Sequence, residues 1–210
     1  HGPLKKLMRR VREEKGVRKV FVASGIRMDL ARKDPEYMRE LVEYWLEEFD
    51  WRAREAEIAR YDHFRAVVNG IGVHFMHIRG KGENPMPLCM LHGYPWSWAT
   101  FLRIIPKLID PVAHGGRPDE SFSLIIPSLC GFCLSDQIPR SGFSFQHHPE
   151  IYRAILKELG YERYGIQGGD WGGIITFPWG HFYPEDLVGI HLNYMGCLLY
   201  TSPSPRDTAI

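Results

Sequence analysis

A carboxylate stands at the centre of Gly168-Gly169-Asp170-Trp171-Gly172, with glycines two places before and two places after it. The apolar Tyr164-Gly165-Ile166-Gln167 precedes this run as a strand, and a helical pattern follows it. That is the layout of a nucleophile elbow, where glycines let the chain turn sharply and keep side chains off the apex. An Asp there is ionised at neutral pH without help from a base, so it can attack saturated carbon and leave an alkyl ester on the protein. The second motif such a site needs, His92-Gly93-Tyr94-Pro95, follows the apolar Leu88-Cys89-Met90-Leu91. Trp171 opens a helix, so its backbone N–H points at the apex with the helix dipole behind it. With the N–H of Tyr94 it can form a two-donor oxyanion hole. The hole would hold the second carboxylate oxygen first, and later the tetrahedral intermediate formed when water attacks the ester.

Each piece alone has a plainer role. Asp170 could cap the following helix, and Tyr94-Pro95 could be a turn. Two motifs in this order, each after a buried strand and before a helix, favour catalysis. Trp171, Tyr94 and Trp96 are the candidate walls of a substrate pocket, although aromatics near a sheet end more often belong to the core. Cys130-Gly131-Phe132-Cys133 is a lone C-x-x-C in a loop after Ile126-Pro127 rather than at the start of a helix, which favours ordinary thiols over redox or metal chemistry.

The elements that must hold these residues follow from periodicity. Asp34-Pro35-Glu36 reads as a cap with proline at the first helical position, and Met38, Leu41, Val42, Trp45 and Phe49 line one face of the helix that follows. A break near Phe49-Asp50 sets off a second helix to Ile58. Asn69-Gly70 joins two strands as a type I′ hairpin. From there strands and helices alternate: strand Leu88 to Leu91, helix Ser97 to Leu108, strand Phe122 to Ile126, helix Pro149 to Leu159 ended by Gly160, strand Tyr164 to Gln167, a helix disturbed by Pro178, and strand Leu187 to Leu192. This order indicates an α/β protein with a mostly parallel sheet covered by helices on both faces. Reactive groups then collect at the carboxyl ends of the strands, where both motifs fall.

With 210 residues and 44% apolar content, the chain can bury one sizeable core. A formal net charge of +1 gives no broad basic field, so a nucleic-acid partner is not expected. No run reaches the length of a membrane-spanning helix, and residues 4 to 15 read as a short solvated amphipathic helix rather than a membrane anchor. The chain as given is expected to be cytoplasmic, with the question of an anchor lost ahead of it left open.

At these residues the sequence resembles the microsomal-type epoxide hydrolases. Pro35 to Arg79, with Leu41-Val42-Glu43-Tyr44-Trp45 and Asp50-Trp51-Arg52, is similar to their N-terminal segment. The likeness continues through His92 to Pro95, Pro127-Ser128-Leu129 with Gly131-Phe132, Gly160-Tyr161, Gln167 to Gly172, and His191-Leu192-Asn193. The resemblance implies an α/β-hydrolase fold with Asp170 as nucleophile and Tyr94 and Trp171 as backbone donors of the oxyanion hole. It also implies a small apolar epoxide and water as reactants, a vicinal diol as product, and no cofactor or metal. Trp96 stands where the family has glycine, and Cys130 and Cys133 where proline and glycine are common. The family's acid, late-loop histidine and cap tyrosines follow the nucleophile in chain order, and the likeness stops after Met195-Gly196. His181 lies on the helix after the elbow and His191 in the next strand; neither matches that histidine, and each is read as structural. The expected organisation is an N-terminal helical segment at 1–60, the first part of the hydrolase core at 61–196, and a non-native or disordered tail at 197–210, the C-terminal half of the fold being absent.

Two other readings compete. A haloalkane-dehalogenase-like enzyme also resembles this fold and uses an Asp-Trp elbow, but its counterpart of Tyr94 is often a halide-binding asparagine, and the Pro35 to Arg79 segment is foreign to it. A catalytically inactive binding module would keep the pocket walls without turnover. The oligomeric state is not legible.

Overall fold

The computed structural model describes residues 35–138 and 141–194. The amphipathic pattern at 4–15 and the tail at 197–210 lie outside the described residues. Two compact units divide between Glu57 and Ile58.

In the first unit, helix α1 (Pro35–Glu47) begins at the proline, with Glu36 in its first turn where the positive end of the helix dipole favours an anion. Its apolar residues share a face, as the spacing predicts, yet Val42 and Trp45 stay exposed. Helix α2 (Trp51–Ala59) starts afresh because Asp50 Oδ1 accepts the Ala53 N–H at 2.9 Å, an N-cap that explains the break at Phe49-Asp50.

The second unit holds a six-stranded sheet. Strands β1 (His63–Val68) and β2 (Ile71–Ile78) pair antiparallel through Val68 and Ile71. Asn69 and Gly70 between them take φ of 51° and 77°, the two positive values a type I′ turn requires. The remaining strands are β3 (Met86–Leu91), β4 (Phe122–Pro127), β5 (Tyr164–Gly168) and β6 (Leu187–Leu192), in spatial order β1-β2-β4-β3-β5-β6. β2 meets β4 antiparallel, whereas β4, β3, β5 and β6 run parallel. The sheet is mostly parallel, as expected, with β3 inserted between β4 and β5.

The period of two along each strand sorts side chains onto two cores. On one face Val73, Phe75, Cys89, Leu91, Ile125 and Ile166 pack with helix α4 (His148–Glu158) and helix α5 (Trp171–Phe182). On the other, Met76, Met90, Leu124 and Ile126 pack with Trp98 and Ile105. The single helix expected over Ser97 to Leu108 is instead a 3-10 turn, Trp98–Phe101, capped by Ser97, followed by the short helix α3 (Ile105–Ile109). Leu102 and Ile104 keep helical backbone, but Pro106 has no N–H to donate to the preceding turn, so the helical hydrogen bonding lapses there and α3 starts afresh with the proline in its first turn. Pro178 does not act in that way. α5 continues through it, held by Ile175, Thr176 and Trp179, which are buried against the sheet. Tertiary packing overrides the local preference there.

Arg153 of α4 ion-pairs with Asp186, which also accepts from the Tyr164 hydroxyl at 3.2 Å, tying α4 to the turn before β6. On the second face, coverage ends over β3. Leu88, Met90, Gly165, Gln167 and His191 line a cavity of about 1160 Å³ there. Among the described residues no helix is long and apolar enough to cross a membrane.

Candidate active site

β3 and β5 are neighbours in parallel register, and Leu91 lies opposite Gly168 as their last pair. The chains leaving both strands therefore emerge side by side. Asp170 occupies the N-cap position of α5, at φ 53° and ψ −123°, and makes no side-chain cap bond. Its carboxylate turns the other way: Oδ1 accepts the Tyr94 N–H at 2.8 Å. A helix-capping role is thus excluded by geometry, and the carboxylate is left facing the loop that follows β3. A non-glycine residue at positive φ is strained, and the surrounding structure must impose it.

Two glycines permit the approach. A Cβ on Gly93 would stand 2.6 Å from both Cβ and Oδ1 of Asp170, and one on Gly172 would meet the carbonyl oxygen of Leu91. Trp171 is the first residue of α5, so its N–H has no carbonyl four residues back within the helix and is available to an anion at the apex. The site thus offers a half-buried carboxylate, one donor bonded to it, and a second orphan donor beside it. Such an arrangement can present an oxygen to an electrophilic carbon and stabilise negative charge that later develops on the same group.

His92 holds the donor loop. It is buried; its Nε2 accepts the Leu129 N–H at 3.1 Å and its Nδ1 faces the Gly93 carbonyl at 3.0 Å. A carbonyl can only accept, so Nδ1 carries the proton and the ring is neutral. Burial lowers the His92 pKa, with the Gly93 carbonyl acting in the opposite sense. The sequence motif includes this residue but assigns it no role, since a histidine in a loop shows its partners only when the loops are assembled.

The rings of Tyr94 and Trp171 stack at 5.4 Å, and Phe132 and Phe145 meet the Trp171 ring edge-on at 5.2 and 5.1 Å. Of the three aromatics expected to wall a pocket, Trp96 lines the large cavity together with Asp170, whereas Tyr94 and Trp171 are not among its walls and join this aromatic cluster. Phe145 had no local signal, because it reaches the elbow from the segment before α4. His181 stands near the end of α5 beside Phe182, and His191 lies on β6 opposite Gln167.

Cys130 and Cys133 are free thiols, as is Cys89. Cys130 is buried with its Sγ 3.8 Å from the Tyr152 hydroxyl, and burial pushes its pKa up to about 11, while Cys133 is exposed. Neither is activated toward redox chemistry. Among the described residues no group of three or more His, Cys, Asp or Glu is placed to hold a metal ion.

Family models of known proteins match this chain between residues 4 and 193. A family model described as "Epoxide hydrolase N terminus" matches residues 4–101, and one described as "alpha/beta hydrolase fold" matches residues 86–193. A protein of Stigmatella aurantiaca provisionally named an epoxide hydrolase is 42% identical over 154 residues, 73% of this chain and 35% of that protein. Epoxide hydrolase 1 of Oryctolagus cuniculus is 34% identical over 161 residues, 75% of this chain and 35% of its own length. The crystal structure of juvenile hormone epoxide hydrolase from the silkworm Bombyx mori superposes with a TM-score of 0.68 at 28% identity, covering 91% of this chain and 50% of that one. The chain therefore spans 35% of the length of these two curated relatives.

Proposed function

Given that the chain belongs to the epoxide hydrolase family of the α/β-hydrolase fold, we propose that the whole protein hydrolyses a small apolar epoxide to a vicinal diol with Asp170 as nucleophile. The reading is carried by one observation: the Asp170 carboxylate ignores the helix it precedes and accepts the Tyr94 N–H instead. One carboxylate oxygen attacks an epoxide carbon, the carbon–oxygen bond of the ring breaks, and its electron pair passes to the ring oxygen, which takes a proton. An ester now joins substrate and Asp170. Water then attacks the ester carbonyl, the N–H groups of Tyr94 and Trp171 hold the oxyanion, and collapse releases the diol and restores the carboxylate.

The aromatic rings around Trp171 and the apolar wall carrying Trp96 suit a substrate of low polarity. A match to "Epoxide hydrolase N terminus" over 4–101 favours this reading over a dehalogenase. Water activation and protonation of the ring oxygen need a base and an acid, which the family resemblance places after Gly196. Residues 1–210 by themselves are accordingly proposed to turn over no epoxide.

The test is a single turnover of the whole protein in heavy-oxygen water. The first diol should carry light oxygen from Asp170, with the label appearing in the Asp170 peptide by mass spectrometry, and Asp170→Ala should abolish turnover. Heavy oxygen in the first diol would make Asp170 a general base and overturn the mechanism.

A further inference from the structure

Behind the donor loop runs a chain of hydrogen bonds that the site itself does not use. His63 Nε2 lies 3.3 Å from the Ile58 carbonyl, His63 Nδ1 lies 2.8 Å from His74 Nε2, and His74 Nδ1 lies 2.8 Å from Ser128 Oγ. The carbonyl at one end decides every proton in it. Since the Ile58 carbonyl can only accept, His63 donates from Nε2 and, in its neutral form, accepts at Nδ1. His74 must then donate from Nε2 and accept at Nδ1, and the Ser128 hydroxyl must donate to it. Two neutral imidazoles and one hydroxyl are satisfied in a single direction.

The far end is fastened at every polar atom. Ser128 donates its N–H to the His74 carbonyl at 2.9 Å, and its own carbonyl accepts the Ser135 hydroxyl at 2.9 Å. The Ser135 oxygen in turn accepts the His74 N–H at 3.1 Å. His74 and Ser128 are buried, and Trp98 closes over both histidine rings at 5.1 and 5.6 Å. Ser128 directly precedes Leu129, whose N–H is what His92 accepts, and His92 directly precedes the Gly93-Tyr94 segment that donates to Asp170.

We propose that His63, His74 and Ser128 are positioning residues: their one-way hydrogen-bond chain sets the Ser128–Leu129 segment, and through His92 it sets the Tyr94 N–H that faces Asp170. The functional weight of that last link rests on the hydrolase reading; the chain itself does not. No member of it touches the carboxylate, and each acts through the next.

Nitrogen-15 spectra of the imidazoles in residues 1–210 test the first part without any substrate. His63 and His74 should both show a protonated Nε2 and a bare Nδ1, and His92 the reverse. The second part is read at the Tyr94 amide. Ser128→Ala should speed its hydrogen exchange about tenfold, the factor carried by one lost hydrogen bond of ordinary size, and Ser128→Thr, which keeps the hydroxyl, should restore it. Should Ser128→Ala fail to fold, His74→Gln offers a second variant, with the same shift expected at Tyr94. A bare Nε2 on His74 would overturn the assignment of direction. An unmoved Tyr94 amide in a folded Ser128→Ala variant would overturn the positioning role. Neither result bears on whether Asp170 is alkylated in turnover, so failure here is separable from failure of the proposed reaction.

Discussion

Asp170→Ala and Asp170→Gly, compared with each other rather than with the parent, isolate the backbone strain at the elbow. Asp170 sits at φ 53° and ψ −123°, a region open to glycine in which a Cβ costs about 1–3 kcal/mol. Both substitutions remove the carboxylate and its bond to the Tyr94 N–H, so that loss cancels. Relief of strain is then set against the extra freedom of glycine in the unfolded chain, about 0.5–1 kcal/mol. The remainder leaves Asp170→Gly more stable than Asp170→Ala by about 1 kcal/mol, and by about 2.5 at most. Urea unfolding followed by tryptophan fluorescence should show this as a higher midpoint at unchanged slope, roughly half a molar for a slope near 2 kcal/mol/M. An Ala variant at least as stable as the Gly variant would refute the strain, and with it the argument that the packed strands and α5 force Asp170 into the apex.

Gly172→Ala should be costly, because its Cβ would run into the Leu91 carbonyl and stand 2.9 Å from that of His92, backbone atoms at the end of β3 that cannot swing aside. A loss of about 3 kcal/mol, roughly 10 °C in Tm, is expected by thermal unfolding, and an unchanged Tm would show that α5 is free to move off the sheet. Acid should also destabilise the fold. The pKa values of His74 and His148 are each lowered from 6.5 to about 4, chiefly by burial, so between those values the unfolded chain binds the protons and the folded one does not. Stability is then unaffected above pH 6.5 and falls as pH drops toward 4, by up to about 1.4 kcal/mol per pH unit for each histidine. Urea midpoints measured across that window should decline, and a flat profile would mean that both rings are protonated without cost.

Much of this was legible because it is local. Asn69-Gly70 demands positive φ at both positions, and the glycines around Asp170 and after His92 announce a tight turn after each strand. That Asp170 and the Tyr94 N–H should approach one another also followed, once both were placed just past the carboxyl ends of strands in one parallel sheet. Features that depend on distant partners were not readable in this way. Periodicity across Ser97 to Leu108 looks helical, and only the weight given to Pro106 decides whether the helix survives it; the same reasoning applied to Pro178 misleads, because the burial of Trp179 and Ile175 outweighs one missing hydrogen bond. The insertion of β3 between β4 and β5 has no local mark. Nor do the partners of His92, His74 and Ser128, whose meaning lies in which carbonyl or N–H the fold brings to each ring.

The β3–β5 pairing has a further consequence, for the order in which the molecule comes together. His92 follows Leu91, the last residue of that register on one strand, and Asp170 follows Gly168, the last on the other. A partly folded chain with β1 to β4 in place has its donor loop but no acid to meet it. The pairing that supplies the acid joins segments far apart along the chain, so it carries a larger loop-closure cost than the β1–β2 hairpin and is expected to form after it. A slip of one residue at that step would carry Asp170 about 3.3 Å along the strand and turn every side chain of β5 to the opposite face, exposing Ile166 and Tyr164 to solvent. The pairing that completes the sheet around β3 therefore also fixes the site: the carboxylate cannot be misaligned without forfeiting the core, so the register and the placement of Asp170 stand or fall together.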